Sequence, residues 1–237
     1  MTARSAAAAR YEAVRERIRA AAARAGRRED EITLIGVSKT VPPAEIQEVV
    51  DAGLTHLGEN RIQEAEEKIP LVRPSLAGLT WHLVGHLQKN KAQKAVKLFS
   101  WIHSVDSASL ISRLDRLAAE QGIRLGFFLE VNVGEEEGKH GVPPSGLGGL
   151  LEVAAGAENL HLAGLMAIPP IPSAGSGAEA SRPHFRVLAR LRDTWAARGY
   201  DLPALSMGMT GDFEVAIEEG ATHVRVGRAI FGDRSEP

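Results

Sequence analysis

The sequence contains no cysteine, so disulfides, thiolate metal sites and cysteine nucleophiles are all excluded. It also lacks any apolar run near the ~20 residues that a membrane-spanning helix needs, so no membrane segment is expected. The net charge is only −2, and no basic field indicates nucleic acid as a partner. Tyrosine occurs only at positions 11 and 200. These absences leave a globular protein that works without thiol chemistry.

The first ten residues are the only stretch that resembles a targeting segment, because they are rich in alanine and arginine and contain no acid. They lead directly into Tyr11, Val14 and Ile18, which recur at helical spacing. We therefore expect a cytoplasmic protein that begins with an amphipathic helix.

Residues 32–43 contain a predicted strand and lead into a helix, and the chain repeats this strand–helix unit. Ile32 to Val37 form a short apolar run that predicts a buried strand, Pro42-Pro43 end it, and a helical pattern begins at position 44. The same strand–helix succession occurs eight times without a dividing linker. Predicted strands begin near residues 32, 55, 81, 99, 125, 160, 204 and 222.

Strict alternation of strands and helices predicts a parallel sheet with right-handed crossovers. Eight such units in one chain predict the α/β class and a single (β/α)8 TIM barrel over residues 1–237, with an extra N-terminal helix. An open doubly wound sheet is the alternative, but no Gly-x-Gly-x-x-Gly motif follows an early strand. Residues 169–181, rich in Pro, Gly and Ser, predict either a lid or a disordered loop.

In such barrels the functional site lies at the C-terminal ends of the strands. Lys39 follows the first strand, and a lysine at the end of an apolar strand must be paired, reach water or do chemistry. Asn60 and His86 follow the second and third strands. The stretches Met207–Asp212 and Val226–Gly232 place glycine-bearing turns before the last two helices, where backbone N–H groups favour an anion such as phosphate.

Arg225 alternates with two valines on the last strand, so its side chain is expected to point into the barrel. A buried arginine needs a carboxylate, a phosphate or a ring nitrogen as acceptor. Closure of the barrel brings Lys39 opposite the two glycine-bearing turns. A cofactor that carries both an aldehyde and a phosphate matches this arrangement, and pyridoxal 5'-phosphate (PLP) is such a cofactor.

Seven motifs, in order, resemble the pyridoxal phosphate homeostasis protein family (YggS/PROSC type), whose members are single-barrel relatives of the alanine racemase N-terminal domain. These motifs are Val37-Ser-Lys-Thr, Gly58-Glu-Asn-Arg-Ile-Gln-Glu, Trp81-His-Leu-Val-Gly-His-Leu-Gln-Lys-Asn-Lys, His103-Ser-Val-Asp, Gly164-Leu-Met-Ala-Ile, Leu205-Ser-Met-Gly-Met-Thr and Val224-Arg-Val-Gly-Arg-Ala-Ile-Phe-Gly. They cover nearly the whole chain from residue 32.

The resemblance implies a Schiff base between PLP and Lys39, and a set of cofactor-binding residues around it. Ser206, Thr210, Gly227 and the backbone of Arg228 would hold the phosphate; Arg225 would lie by the pyridine nitrogen, with Asn60 and His82 nearer the ring. His86 and Lys89 depart from the usual proline and serine, and Arg228 stands where threonine is common. His82 and His86 are four residues apart, but their surroundings predict a strand, so no metal site is expected from this pair.

Three functions compete: a PLP carrier without turnover, a PLP enzyme such as an amino-acid racemase, and an unrelated barrel enzyme such as a Schiff-base aldolase. Racemisation in the related enzymes needs a second base, a tyrosine from an additional domain, and neither Tyr11 nor Tyr200 falls at a strand end. Arginine at the pyridine nitrogen also leaves that nitrogen unprotonated and weakens the electron sink. The resemblance therefore implies a monomeric PLP homeostasis protein, not an enzyme, with apo PLP-dependent enzymes as its partners.

Overall fold

The computed structural model describes residues 5–171 and 175–232. Eight parallel strands form one closed barrel in sequence order, which confirms the predicted fold. The strands are β1 Thr33–Val37, β2 His56–Glu59, β3 Thr80–Leu83, β4 Trp101–Val105, β5 Leu125–Glu130, β6 Leu160–Met166, β7 Ala204–Met209 and β8 His223–Val226. The helices are α1 Ala6–Arg24, α2 Pro43–Asp51, α3 Ile62–Lys68, α4 Ala92–Leu98, α5 Ala108–Gln121, α6 Leu147–Ala155, α7 Arg182–Ala196, α8 Phe213–Glu218 and α9 Arg228–Phe231.

The barrel closes between β8 and β1, where Ile35 pairs with Arg225 and Gly36 with Val226. Closure removes both sheet edges and places the segments that follow β1, β7 and β8 side by side. Lys39, Thr210, Gly227 and Arg228, which follow these strands, therefore share one end of the barrel, which we call the mouth.

Helix α1 belongs to the outer layer of the barrel. Ser5 caps it by accepting a hydrogen bond from the Ala8 N–H at 3.2 Å, and Tyr11, Val14 and Ile18 are buried. The helix packs against α8 and α9. The first four residues of the suspected targeting stretch lie outside the described residues. No helix within 5–171 or 175–232 combines the length and apolarity that a membrane crossing requires.

The 169–181 loop is described except for residues 172–174. Its end forms a single turn of 3-10 helix, Ala178–Ser181, and the Ser181 hydroxyl donates to Oδ2 of Asp212 at 2.7 Å. The loop is thus tied to the segment that follows β7, on the mouth side. Whether it acts as a lid stays a prediction.

Candidate functional site

Lys39 lies two residues beyond the end of β1, and its side chain is exposed at the mouth. The residue before it, Ser38, is fully buried. The residue after it, Thr40, has a φ of 61°, in the left-handed region that residues other than glycine rarely adopt. Lys39 therefore sits on a tight turn that must be held in place by its neighbours.

A buried ionic cluster holds that turn from α3. Lys68 Nζ donates to the Ser38 carbonyl at 2.7 Å, to Glu59 Oε1 at 2.9 Å and to Glu64 Oε2 at 2.8 Å. The Ser38 hydroxyl donates to the same Glu59 oxygen at 2.7 Å, and the Thr40 N–H donates to Glu64 Oε2 at 2.7 Å. We call Ser38, Glu59, Glu64 and Lys68 the Lys68 cluster, because its ammonium joins both sides of the turn.

Within the Lys68 cluster, Glu59 is the residue whose charge is most costly to bury, because it has no solvent-exposed surface. Burial raises the pKa of Glu59, against the hydrogen bonds from Ser38 and Lys68 that lower it. Among the described residues, its second oxygen, Oε2, has no hydrogen-bond partner. The ionised form of such a buried carboxylate is stabilised by the nearby ammonium group, here that of Lys68. The sequence analysis did not single out Lys68, although its i,i+4 spacing from Glu64 was a readable signal.

Asn60 and His82 lie at different depths. Asn60 is half-buried just after β2, and its backbone passes so close to Gly85 that a Cβ there would come within 2.3 Å of the Asn60 carbonyl oxygen. His82 is buried inside the barrel, far from His86, which is exposed beyond the end of β3. The two histidines do not form a pair.

A row of polar side chains crosses the barrel interior. Nδ1 of His56 lies 2.9 Å from Nε2 of His82, and Nδ1 of His82 lies 2.9 Å from Nε2 of His103. Nδ1 of His103 lies 2.8 Å from the Ser206 hydroxyl. Burial holds the pKa values of His82 and His103 well below their ordinary range, so this histidine row is neutral.

Arg225 ends the histidine row and is only 4% exposed. Its guanidinium donates to the Ser206 hydroxyl at 2.6 Å and to the Ala167 carbonyl at 3.0 Å. Within the described residues it forms no salt bridge. Burial lowers the pKa of Arg225 to about 10, so the side chain is charged at neutral pH. The inward orientation predicted from the strand alternation is confirmed.

The predicted phosphate residues lie on and after β7 and β8, which are neighbouring strands. Thr210 is half-buried one residue past β7, Gly227 is buried immediately past β8, and Arg228 is exposed as the first residue of α9. Ser206 differs from them, because it lies inside the strand and its hydroxyl contacts His103 and Arg225. A direct contact between Ser206 and phosphate stays a prediction.

The family model for the alanine racemase N-terminal domain matches residues 10–235. The pyridoxal phosphate homeostasis protein of Aquifex aeolicus (strain VF5) is 44% identical over 227 residues, covering 95% of this chain and 97% of the relative. The chain belongs to the pyridoxal phosphate homeostasis protein family. The resemblance seen in the sequence motifs is thus confirmed.

Two further family comparisons agree with this assignment. The Escherichia coli (strain K12) homeostasis protein is 38% identical over 223 residues, covering 93% of this chain and 94% of that protein. The structure of PipY from Synechococcus elongatus PCC7942, solved with PLP bound, is 40% identical and has a TM-score of 0.77. It covers 85% of this chain and 93% of that one.

This family member also carries a buried acid at the mouth that the sequence analysis did not find. Glu130, the last residue of β5, is 6% exposed. Burial and, to a smaller extent, the nearby Asp106 raise the pKa of Glu130, Arg225 lowers it, and the net result is a pKa of about 7. Glu130 is thus half protonated near neutral pH. No sequence motif marks it, since an acid at a strand end is ordinary in an exposed setting.

Glu130→Gln is expected to stabilise the cofactor-free protein above pH 7 and to have little effect near pH 4.5. The folded protein binds the Glu130 proton more tightly than the unfolded chain, whose pKa is near 4.5, so the wild type loses stability as pH rises from 4.5 to about 7. Glutamine cannot ionise, so the variant should not lose this stability as the pH rises. Urea unfolding of both proteins at several pH values measures the difference, and a difference that does not change with pH would contradict the assignment.

Proposed function

We propose that this protein binds PLP as a Schiff base on Lys39 and supplies it to apo PLP-dependent enzymes in the cytoplasm, as a monomer and without substantial turnover. The observation that carries this proposal is that an exposed lysine just beyond β1 lies next to strand β8, which carries a buried arginine with no salt bridge among the described residues. Arg225 lies on β8, which is hydrogen-bonded to β1, and Lys39 lies two residues beyond the end of β1. Membership of the homeostasis family supports the same function.

The donor set at the mouth matches PLP group by group. PLP supplies an aldehyde that condenses with a lysine amine, a phosphate, and a pyridine nitrogen that accepts a hydrogen bond. Lys39 offers the amine in an exposed position, and Arg225 offers a buried guanidinium whose observed acceptors are both neutral. Thr210 offers a hydroxyl, and the backbone after β8 offers N–H groups at Gly227 and Arg228. The residues present therefore suit the cofactor.

His82 and Asn60 serve this site differently in our proposal. Asn60 lies beside the Lys39 turn, since β1 and β2 are paired, and in our proposal it approaches the cofactor ring. His82 is bonded to His56 and His103, so it reaches the site only through the histidine row. Together with His103 and Ser206 it fixes the position of Arg225.

A carrier needs binding without proton transfer, and the second base of the related racemases is a tyrosine. Tyr11 is buried in α1, and Tyr200 packs against Trp195 outside the barrel, so neither tyrosine can serve as a second base. The positive charge of Arg225 would keep a facing pyridine nitrogen unprotonated. Glu130 is the one observation that favours the racemase-like alternative, because a carboxyl with a pKa of about 7 is suited to general base catalysis.

The PLP-loaded protein is expected to reactivate an apo PLP-dependent enzyme and to leave free amino acids unchanged. The turnover assay incubates it with L- and D-alanine and serine and follows stereoinversion, transamination and carbon dioxide release. Loss of a second base typically removes about 10²–10⁴-fold of rate, so only traces of product are expected. Turnover at enzymatic rates that is lost in both Lys39→Ala and Glu130→Gln would contradict the carrier function and favour the racemase-like alternative.

Pyridoxal without its phosphate is expected to bind far more weakly than PLP, because the turns after β7 and β8 then lose their ligand. Thr210→Ala should weaken PLP binding by about 1–3 kcal/mol, or about 5–150-fold, through loss of one charge-assisted hydrogen bond. Thr194→Ala is the matched control, since the Thr194 hydroxyl is exposed on α7 and donates only to the Arg190 carbonyl. Equal affinity for pyridoxal and PLP in a fluorescence titration would remove the phosphate site from the proposal.

A further inference from the structure

Three side chains of metal-ligand type meet on one side of the mouth. His86 follows β3, Asp106 follows β4, and His140 lies in the loop that follows β5. One ligand atom from each lies within 4.8 Å of those of the other two. The three residues are distant in sequence, and closure of three adjacent strand ends brings them together. None of them belongs to the proposed PLP set.

We propose that His86, Asp106 and His140 bind a divalent transition metal ion, with zinc as the best match. Two imidazoles and one carboxylate are ligands that zinc accepts, and three protein ligands leave a position for water or another donor. Calcium and magnesium prefer sites made entirely of oxygen donors, so two imidazoles disfavour both.

The two imidazoles already touch. The rings of His86 and His140 stack with centroids 3.6 Å apart and planes 7° from parallel. Parallel rings do not aim their nitrogens at a common point, so each ring must tilt for zinc–nitrogen distances of about 2.0–2.1 Å. Both side chains are exposed, and their rotation disturbs no core packing. The metal is therefore expected to replace the stack by a bridged pair.

Asp106 is available as the third ligand. It is half-buried, and no salt bridge of the described residues includes it. Its only hydrogen bond there is a long one, 3.5 Å from the Gly141 N–H to Oδ2. A carboxylate in this environment gains more from a cation than one already neutralised by lysine or arginine.

An anion suits this position less well than a cation. The Asp106 carboxylate would face it, and the neighbouring ammonium of Lys139 is already paired with Glu136. The proposed phosphate turns follow β7 and β8, across the mouth from β3 to β5. The three ligand residues therefore lie apart from the proposed phosphate turns, and a metal ion would hold the loop that carries His140 against the ends of β3 and β4.

The test is a calorimetric titration of Zn²⁺ into the untagged, full-length protein after removal of metal with a chelator. One ion per chain is expected in the wild type, with affinity at least tenfold weaker in His140→Ala and in Asp106→Asn. Substitution of Co²⁺ should give visible absorption bands that both variants lose. His184→Ala is the matched control, because it removes a histidine of α7 that lies outside the cluster.

Binding is expected to be unchanged in Lys39→Ala, so the metal site can stand or fall independently of PLP. His140 is exposed, and thermal unfolding of each variant checks that the fold persists. Failure of the wild type to bind one equivalent, or retention of wild-type affinity in His140→Ala, would overturn the proposal.

Discussion

Borohydride reduction of the PLP-loaded protein is expected to leave a pyridoxyl group on Lys39, and Lys39→Ala to abolish both this label and the visible absorbance of the Schiff base. The effect should be complete, because the Schiff base needs a lysine amine and in our proposal Lys39 supplies it. Peptide mass mapping identifies the labelled residue. A label found mainly on Lys139 or Lys89 would contradict the assignment.

Two controls separate the chemistry of Lys39 from its charge and from folding. Lys39→Arg keeps a positive charge at the same position but cannot form a Schiff base, so it should lose the absorbance as completely as Lys39→Ala. The Lys39 side chain is exposed, so the free energy of unfolding of both variants should lie within about 0.5 kcal/mol of the wild-type value. The proposed phosphate contacts are unaltered in both variants, so weak binding of PLP without covalent attachment is expected.

The fold was predictable because its signals are local. The strands are short apolar runs, and several of the helices are followed by a glycine within one or two residues, as at Gly53, Gly122 and Gly156. Gly53, for example, lies just after the end of α2, where glycine is common, and it has a φ of 111°, which a residue with a Cβ rarely adopts. Repetition of these signals eight times leaves few topologies other than a closed barrel.

The interior of the site was less predictable, because it depends on the register between strands distant in sequence. Ser206 belongs to a motif beside the proposed phosphate turn, and the resemblance implied that it holds the phosphate. Strand β7 continues to Met209, so Ser206 lies three residues earlier and contacts Arg225 and His103 instead. His103 likewise carries no local signal, since its partners come from β3 and β7.

The histidines show the same dependence on tertiary structure: residues close in sequence can lie apart, and residues distant in sequence can be neighbours. Sequence spacing drew attention to His82 and His86, which the structure separates. His86 instead stacks on His140, more than fifty residues further along the chain. Only the three-dimensional arrangement of strand ends shows which histidines are neighbours.

Lys68→Met is expected to destabilise the protein by about 3–5 kcal/mol, because it leaves the buried Glu59 carboxylate without its cation. Lys94→Met is the matched control: it breaks the salt bridge to Glu66 on the surface, where Lys94 is 55% exposed, and should cost about 0–1 kcal/mol. Urea unfolding measures both. The double variant Lys68→Met with Glu59→Leu removes both charges and should recover part of the loss.

The loss of stability in Lys68→Met should also depend on pH, and the same substitution should weaken binding at the proposed cofactor site. Burial already raises the pKa of Glu59, and removal of the ammonium raises it further. A protonated Glu59 needs no cation, so the destabilisation is largest above that pKa and shrinks as pH falls through it. Because Lys68 holds the Ser38 carbonyl and, through Glu64, the Thr40 N–H, the Lys39 turn loosens and PLP should bind more weakly. Equal losses of stability and of PLP affinity in Lys68→Met and Lys94→Met would show that the Lys68 cluster does not position Lys39.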